Sequence, residues 1–172
     1  DEALRLLARA ERELREDGHA VAHPPVGVMI EVPSAAWQTE QLARRVDFLS
    51  VGSNDLTQYL LAVDRNNARV AGLYHSLHPA VIQALESVAR SCRAEGKPVS
   101  ICGELAGDPE GAVLLLAMGY DVLSMNSTSL PRVKKALRSI QLREAQDLLA
   151  QVLSLEDVSA VHQRMQLFLA EH

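Results

Sequence analysis

The chain has 172 residues, enough for one domain with a sizeable core. At 48% apolar and 23% charged it has the composition of a globular protein, which excludes a disordered one. A formal net charge of −5 and an aromatic content of 3% exclude a basic, aromatic nucleic-acid face, and no apolar run approaches the ~20 residues that span a bilayer.

The first residues, Asp1-Glu2-Ala3-Leu4-Arg5, lack the basic-then-apolar layout of a signal peptide. Cys92 and Cys102 are too few for a disulfide scaffold and stand in neither a redox nor a zinc spacing. A reduced, cytoplasmic setting is therefore expected.

In chain order, Leu4, Leu7, Ala10 and Leu14 fall at helical spacing, and Gly18 is placed to end that helix. Residues 19–25 read as a loop. Residues 27–32 form an apolar strand, followed by a helix over 34–45 with Ser34 as its N-cap. A second strand covers 46–52, with a short helix over 55–62 and a polar loop over 64–77. Pro79 opens a long helix that Gly96 closes, and 98–102 is the third strand. Asp108-Pro109 starts a helix closed by Gly119, and 122–125 is the fourth strand. Helices over 130–139, 142–153 and 155–170 complete the chain.

Continuous apolar strands separated by helices indicate an α/β protein with a parallel sheet covered on both faces. Two closures fit: an open doubly wound sheet, or part of a (β/α)8 TIM barrel, whose full form takes ~250 residues and eight strands. Both gather ligands at the carboxyl ends of the strands. Those ends carry Glu31, then Gly52-Ser53-Asn54-Asp55, then Cys102-Gly103-Glu104, then Ser124-Met125-Asn126. Four polar ends on one rim are harder to dismiss than one.

Glu31 and Asp55 supply two hard oxygen ligands of the kind magnesium takes alongside waters and substrate phosphate. The plainer alternatives are an edge salt bridge for Glu31 and a helix cap for Asp55. Gly52 permits a positive φ or a close backbone approach. Asn54 and the amides of the following first helical turn can donate to an anion, or Asn54 simply caps that turn. Arg65 can grip phosphate bidentately or pair with Asp64 in solvent. Cys102 is either a buried structural thiol or an acid toward a substrate carbon. Cys92, His75 and His78 read as structural. Neither nucleotide-loop glycine pattern occurs.

Together, Gly27-Val28-Met29-Ile30-Glu31, the run from Asp47 through Asn67, and Cys102-Gly103-Glu104-Leu105-Ala106-Gly107-Asp108 resemble enzyme I of the bacterial phosphoenolpyruvate-dependent phosphotransferase system. The similarity covers nearly the whole chain and weakens after about Leu142. Glu31-Val32-Pro33-Ser34-Ala35, Tyr59-Leu60-Leu61, Arg65-Asn66-Asn67 and Ser76-Leu77-His78-Pro79 lean toward its nitrogen-related branch. The resemblance implies one domain over residues 1–172, the last four strands of a phosphoenolpyruvate-binding barrel. It implies Mg2+ on Glu31 and Asp55, the phosphoryl group held by Asn54, Asp55 and Arg65, and Cys102 protonating the pyruvate enolate. It further implies a homodimer, and transfer through a histidine of a separate domain to an HPr-like phosphocarrier protein. The chain shows no candidate phosphohistidine domain and no upstream barrel half, so alone it is expected to be inactive. Two other functions remain open: a magnesium-dependent pyruvate-enolate lyase or aldolase, which would not need Cys102, and a non-catalytic dimerisation or regulatory module.

Overall fold

The computed structural model of the protein describes residues 2–172. Helix α1 (Glu2–Glu16) ends before Gly18, whose positive φ suits the helix exit. Strand β1 (Gly27–Ile30) leads into two short helices, α2 (Pro33–Trp37) and α3 (Thr39–Ala43). Strand β2 (Phe48–Gly52) runs directly into α4 (Ser53–Leu60). A loop with a 3-10 turn at Ala71–Leu73 then reaches α5 (Pro79–Ala94). Strand β3 (Val99–Cys102), a 3-10 turn (Glu104–Gly107), α6 (Pro109–Met118) and β4 (Val122–Ser124) follow. The chain closes with α7 (Leu130–Ser139), α8 (Leu142–Val152) and α9 (Val158–Ala170).

The sheet order is β1-β2-β3-β4, and each neighbouring pair is parallel. That order decides between the two closures. A doubly wound sheet reverses direction at a switch point. Here each strand is added beside the previous one, and right-handed crossovers place successive helices on the same side. The sheet is an arc of a barrel wall. Leu49, Val51 and Ile101 are fully buried within it, and Val81, Leu85, Val88, Leu115, Leu148 and Met165 bring the helices onto the same core. Helix α6 packs against α5, α7, α8 and α9, so it is apolar on all sides and has no polar face.

The structure departs from the sequence expectations mainly at helix starts. The helix expected over 34–45 breaks at Gln38, and Ser34 is not its cap. Val32, in extended conformation, precedes Pro33 at the first helical position. The Thr39 hydroxyl then donates to the Ala36 carbonyl at 2.7 Å, diverting the chain at the break. Helix α4 begins two residues earlier than expected, because Ser53 donates to a neighbouring strand rather than capping locally. The last helix begins at Val158, since the Asp157 carboxylate accepts from the Ser159 and Ala160 amides at 2.6 and 3.0 Å. His78 is structural as expected: its Nδ1 accepts from the Ala80 amide at the start of α5. Cys92 also packs in the core, where burial pushes its thiol up to about 11.

Ile101→Ala would empty the centre of the arc and cost about 2–5 kcal/mol. Urea unfolding followed by far-ultraviolet circular dichroism checks this; Trp37 is 76% exposed and makes a poor fluorescence reporter of the core. A loss under about 1 kcal/mol would show that the wall is not the cooperative core.

Candidate functional site at the strand carboxyl ends

The strand register sets the site. Ile30 pairs with Val51, Val51 with Ile101, and Ile101 with Leu123, so the strands finish level. One residue further on, Gly52 pairs with Cys102 and Cys102 with Ser124. Glu31 follows Ile30 and falls beside Gly52. An added Cβ on Gly52 would sit 3.1 Å from Glu31 Oε2 and 3.4 Å from Met29 Sδ. Gly52 has φ −86°, so its value here is close approach and not a left-handed turn. Its missing side chain lets the Glu31 carboxylate lie across the end of β2.

The turn from β2 into α4 places Ser53, Asn54 and Asp55 at the first three helical positions, and none of them caps the helix. Each reaches outward instead. The Ser53 hydroxyl donates to the Cys102 carbonyl at 2.7 Å, and Asn54 Oδ1 accepts from the Glu104 amide at 3.0 Å. These two bonds tie the ends of β2 and β3 together. They require Gly103, which has φ 114° and whose added Cβ would lie 2.3 Å from Ser53 Oγ and 2.8 Å from Asn54 Oδ1.

Asp55 faces Arg65, with Oδ1 and Nη2 3.5 Å apart and the two side chains 44% and 35% exposed. Arg65 thus pairs with Asp55 and not with its neighbour Asp64, whose carboxylate accepts from the Asn66 amide. The loop carrying Arg65 is held to α4 by the Arg65 amide, which donates to Gln58 Oε1 at 3.2 Å. A half-exposed pair of this kind is worth about 0–1 kcal/mol, so a stronger partner for either group displaces it readily.

Between the ends of β3 and β4 lies a cavity of ≈ 610 Å³, lined among others by Asn54, Cys102, Glu104, Asp108, Ser124 and Arg132. Cys102 is partly exposed at its wall, unlike the buried Cys92. The Asp108 carboxylate accepts from the Gly111 amide at 3.2 Å and so caps α6 while facing the cavity. The rim therefore gathers Glu31, Asn54, Asp55, Arg65 and Cys102. Two contributors escape a reading of the sequence. Arg132 looks like one more arginine on a helix face, yet it stands in the first turn of α7 after β4 and has no ion-pair partner among the described residues. Tyr74, far along a polar loop with no local pattern to single it out, donates its hydroxyl to the Asn54 carbonyl at 3.3 Å.

Residues 1–142 match the family described as "PEP-utilising enzyme, PEP-binding domain". The chain belongs to this family of phosphoenolpyruvate-utilising enzymes. A Salmonella typhimurium protein named "Phosphoenolpyruvate-dependent phosphotransferase system" is 47% identical over 170 residues, covering 98% of this chain and 23% of that protein. A Haemophilus influenzae "Phosphoenolpyruvate-protein phosphotransferase" is 44% identical over 161 residues, covering 93% of this chain and 28% of its own length. A Xanthomonas campestris "Multiphosphoryl transfer protein" is 47% identical over 137 residues, or 80% of this chain and 16% of that one. The chain thus spans about a quarter or less of these curated relatives. Among the described residues, no helix of this family member is long and apolar enough to cross a membrane.

Gly103→Ala would force a side chain into the left-handed region, at about 1–3 kcal/mol for the backbone alone, and push Ser53 away from Cys102. Unfolding should show the lost stability. A thiol reagent, which reaches Cys102 but not the buried Cys92, should report a changed rate at Cys102. Unchanged stability and reactivity would mean that the tie between β2 and β3 does not fix the rim.

Proposed function

We propose that the chain is the phosphoenolpyruvate-binding part of a longer phosphoenolpyruvate-protein phosphotransferase, an enzyme of the cytoplasm. The observation that carries this reading is the level row of Glu31, Asn54–Asp55 and Cys102 beside an arginine, in a chain whose family and similarly long-matching relatives are named for phosphoenolpyruvate. On this reading Arg65 takes the phosphoryl group with bidentate, charge-assisted hydrogen bonds, and Asn54 orients it from the opening turn of α4. As the bridging P–O bond breaks, the phosphoryl group passes to a histidine on another part of the longer protein. It then goes on to an HPr-like phosphocarrier protein. The electron pair left behind makes the enolate of pyruvate, and the Cys102 thiol delivers a proton to its methylene carbon. In reverse, the thiolate removes that proton. The nitrogen-related branch is the variant of the system that the loop residues around Arg65 favour.

The donor set at the rim suits Mg2+. Glu31 and Asp55 offer two hard oxygens from adjacent strand ends, no third carboxylate, histidine or cysteine joins them among the described residues, and substrate oxygens and waters complete such a sphere. The ion, when bound, would neutralise charge on the phosphoryl and enolate oxygens. Asp55 would then have to leave Arg65, which frees the guanidinium for phosphate. Asp55→Asn should weaken binding of Mn2+, used as a paramagnetic stand-in, at least tenfold in water-proton relaxation titrations. Equal affinity in the variant would remove Asp55 from the metal site.

In the longer protein, Cys102→Ala should lower pyruvate formation about 10²–10⁴-fold, the range of a lost general acid, while phosphoenolpyruvate still binds. Rapid-quench turnover and equilibrium binding separate the two. Unchanged turnover would take the proton transfer away from Cys102.

A further inference from the structure

Two of the three groups on the central carbon of phosphoenolpyruvate have partners at the rim: the phosphoryl group at Asn54 and Arg65, and the methylene at Cys102. The third is a carboxylate, a full negative charge that needs a partner of its own. Substituents on a trigonal carbon point apart. With the phosphoryl group over the end of β2 and the methylene at the end of β3, the carboxylate is directed to the other side of Cys102, toward β4 and α7.

The cavity of ≈ 610 Å³ lies there, and it is lined both by Cys102 and by the first turn of α7. Arg132 is the one cationic residue in its lining among the described residues. It is exposed, and it makes no ion pair and no side-chain hydrogen bond to a described residue, so its guanidinium is uncommitted. Arginines that serve the fold look different: Arg93 donates to the Met118 carbonyl at the end of α6, and Arg44 pairs with Glu40 and Glu95.

The neutral groups beside Arg132 are free as well. Ser124, Asn126 and Ser129 line the same cavity, and none of their side chains bonds a described residue; Ser129 precedes α7 without capping it. Gly107 leaves room for this wall: an added Cβ would lie 3.1 Å from Ser129 Oγ and 3.5 Å from Met125 Cβ. Two carboxylates in the lining, Glu104 and Asp108, make the arginine necessary. Neither has an ion-pair partner among the described residues, and both repel an incoming anion unless a cation offsets them.

We propose that Arg132 is the carboxylate-binding residue of the site, its guanidinium fork taking the pyruvate end of the substrate while Asn54 and Arg65 hold the phosphoryl end. This assignment rests on the reading of Asn54 and Arg65 as the phosphoryl grip and of Cys102 as the proton donor. The carboxylate outlasts the break of the P–O bond. Arg132 therefore keeps the enolate in place while its methylene carbon takes the proton from Cys102.

The test titrates two halves of the substrate separately into the longer phosphotransferase with Mg2+. Pyruvate carries the carboxylate alone, and inorganic phosphate stands for the phosphoryl group. Arg132→Gln should weaken pyruvate binding about 10–100-fold, the effect of a lost charge-assisted hydrogen bond, and leave phosphate within about twofold. Arg65→Gln should do the reverse. Isothermal titration calorimetry reads both, and phosphate binding kept by Arg132→Gln shows that the variant is folded. Unchanged pyruvate affinity in Arg132→Gln would overturn the assignment. So would equal weakening of both ligands, which marks a general loss of field or fold, and so would a parent enzyme that binds no pyruvate. If Arg65→Gln leaves phosphate binding intact while Arg132→Gln still loses pyruvate, the phosphoryl reading fails and Arg132 keeps the carboxylate.

Discussion

Everything at the rim depends on four parallel strands ending level. Side chains alternate faces along a strand, so a slip of one residue in any of them would turn its functional group to the other side of the wall. The register from Ile30 through Val51 and Ile101 to Leu123 prevents that: the first three are fully buried, Leu123 is partly buried against the same core, and ladder pairing joins all four strands. The hydrogen bonds of Ser53 and Asn54 to the β3 turn then lock the level above the last ladder pair. Chemistry is placed by backbone pairing first and by side-chain contacts second.

Much of this was legible in the residues. Apolar runs of four to six residues punctuated by helices gave the parallel sheet, and the polar residue after each run marked the rim. Gly96, Gly119 and Pro79 marked helix ends because their effects are local. Helix starts were harder. Ser34 has the composition of a cap, but Pro33 before it fits the first helical position better, and the cap moved to Val32. Ser53, Asn54 and Asp55 also look like caps. Ser53 and Asn54 instead bond partners some fifty residues away, a distance over which local pattern carries no information, and Asp55 pairs with Arg65 across the following loop. The same limit hid Tyr74 and Arg132, whose meaning exists only once the loop and α7 fold back onto the rim.

The electrostatics of the rim differ from those of the wall. Asp55 and Arg65 satisfy each other weakly, Glu31 lies over a glycine, and Arg132 faces the cavity with no ion-pair partner among the described residues. Groups committed to fold stability look different. Glu11, largely buried, is held by His23 at 2.6 Å, and Tyr120, fully enclosed, donates to the Leu85 carbonyl. The contrast separates residues that stabilise the wall from rim residues whose partners within the fold are weak.

Helix α6 is apolar all round, and the helix that covers it most extensively is α8, which begins where the family match stops. The family match is therefore shorter than the stretch that folds, while similarity to the relatives runs through α8 and α9. Cutting the chain at the end of the match would bare Leu115 and its neighbours to water and invite aggregation. A boundary drawn by what covers the core keeps α8 and α9.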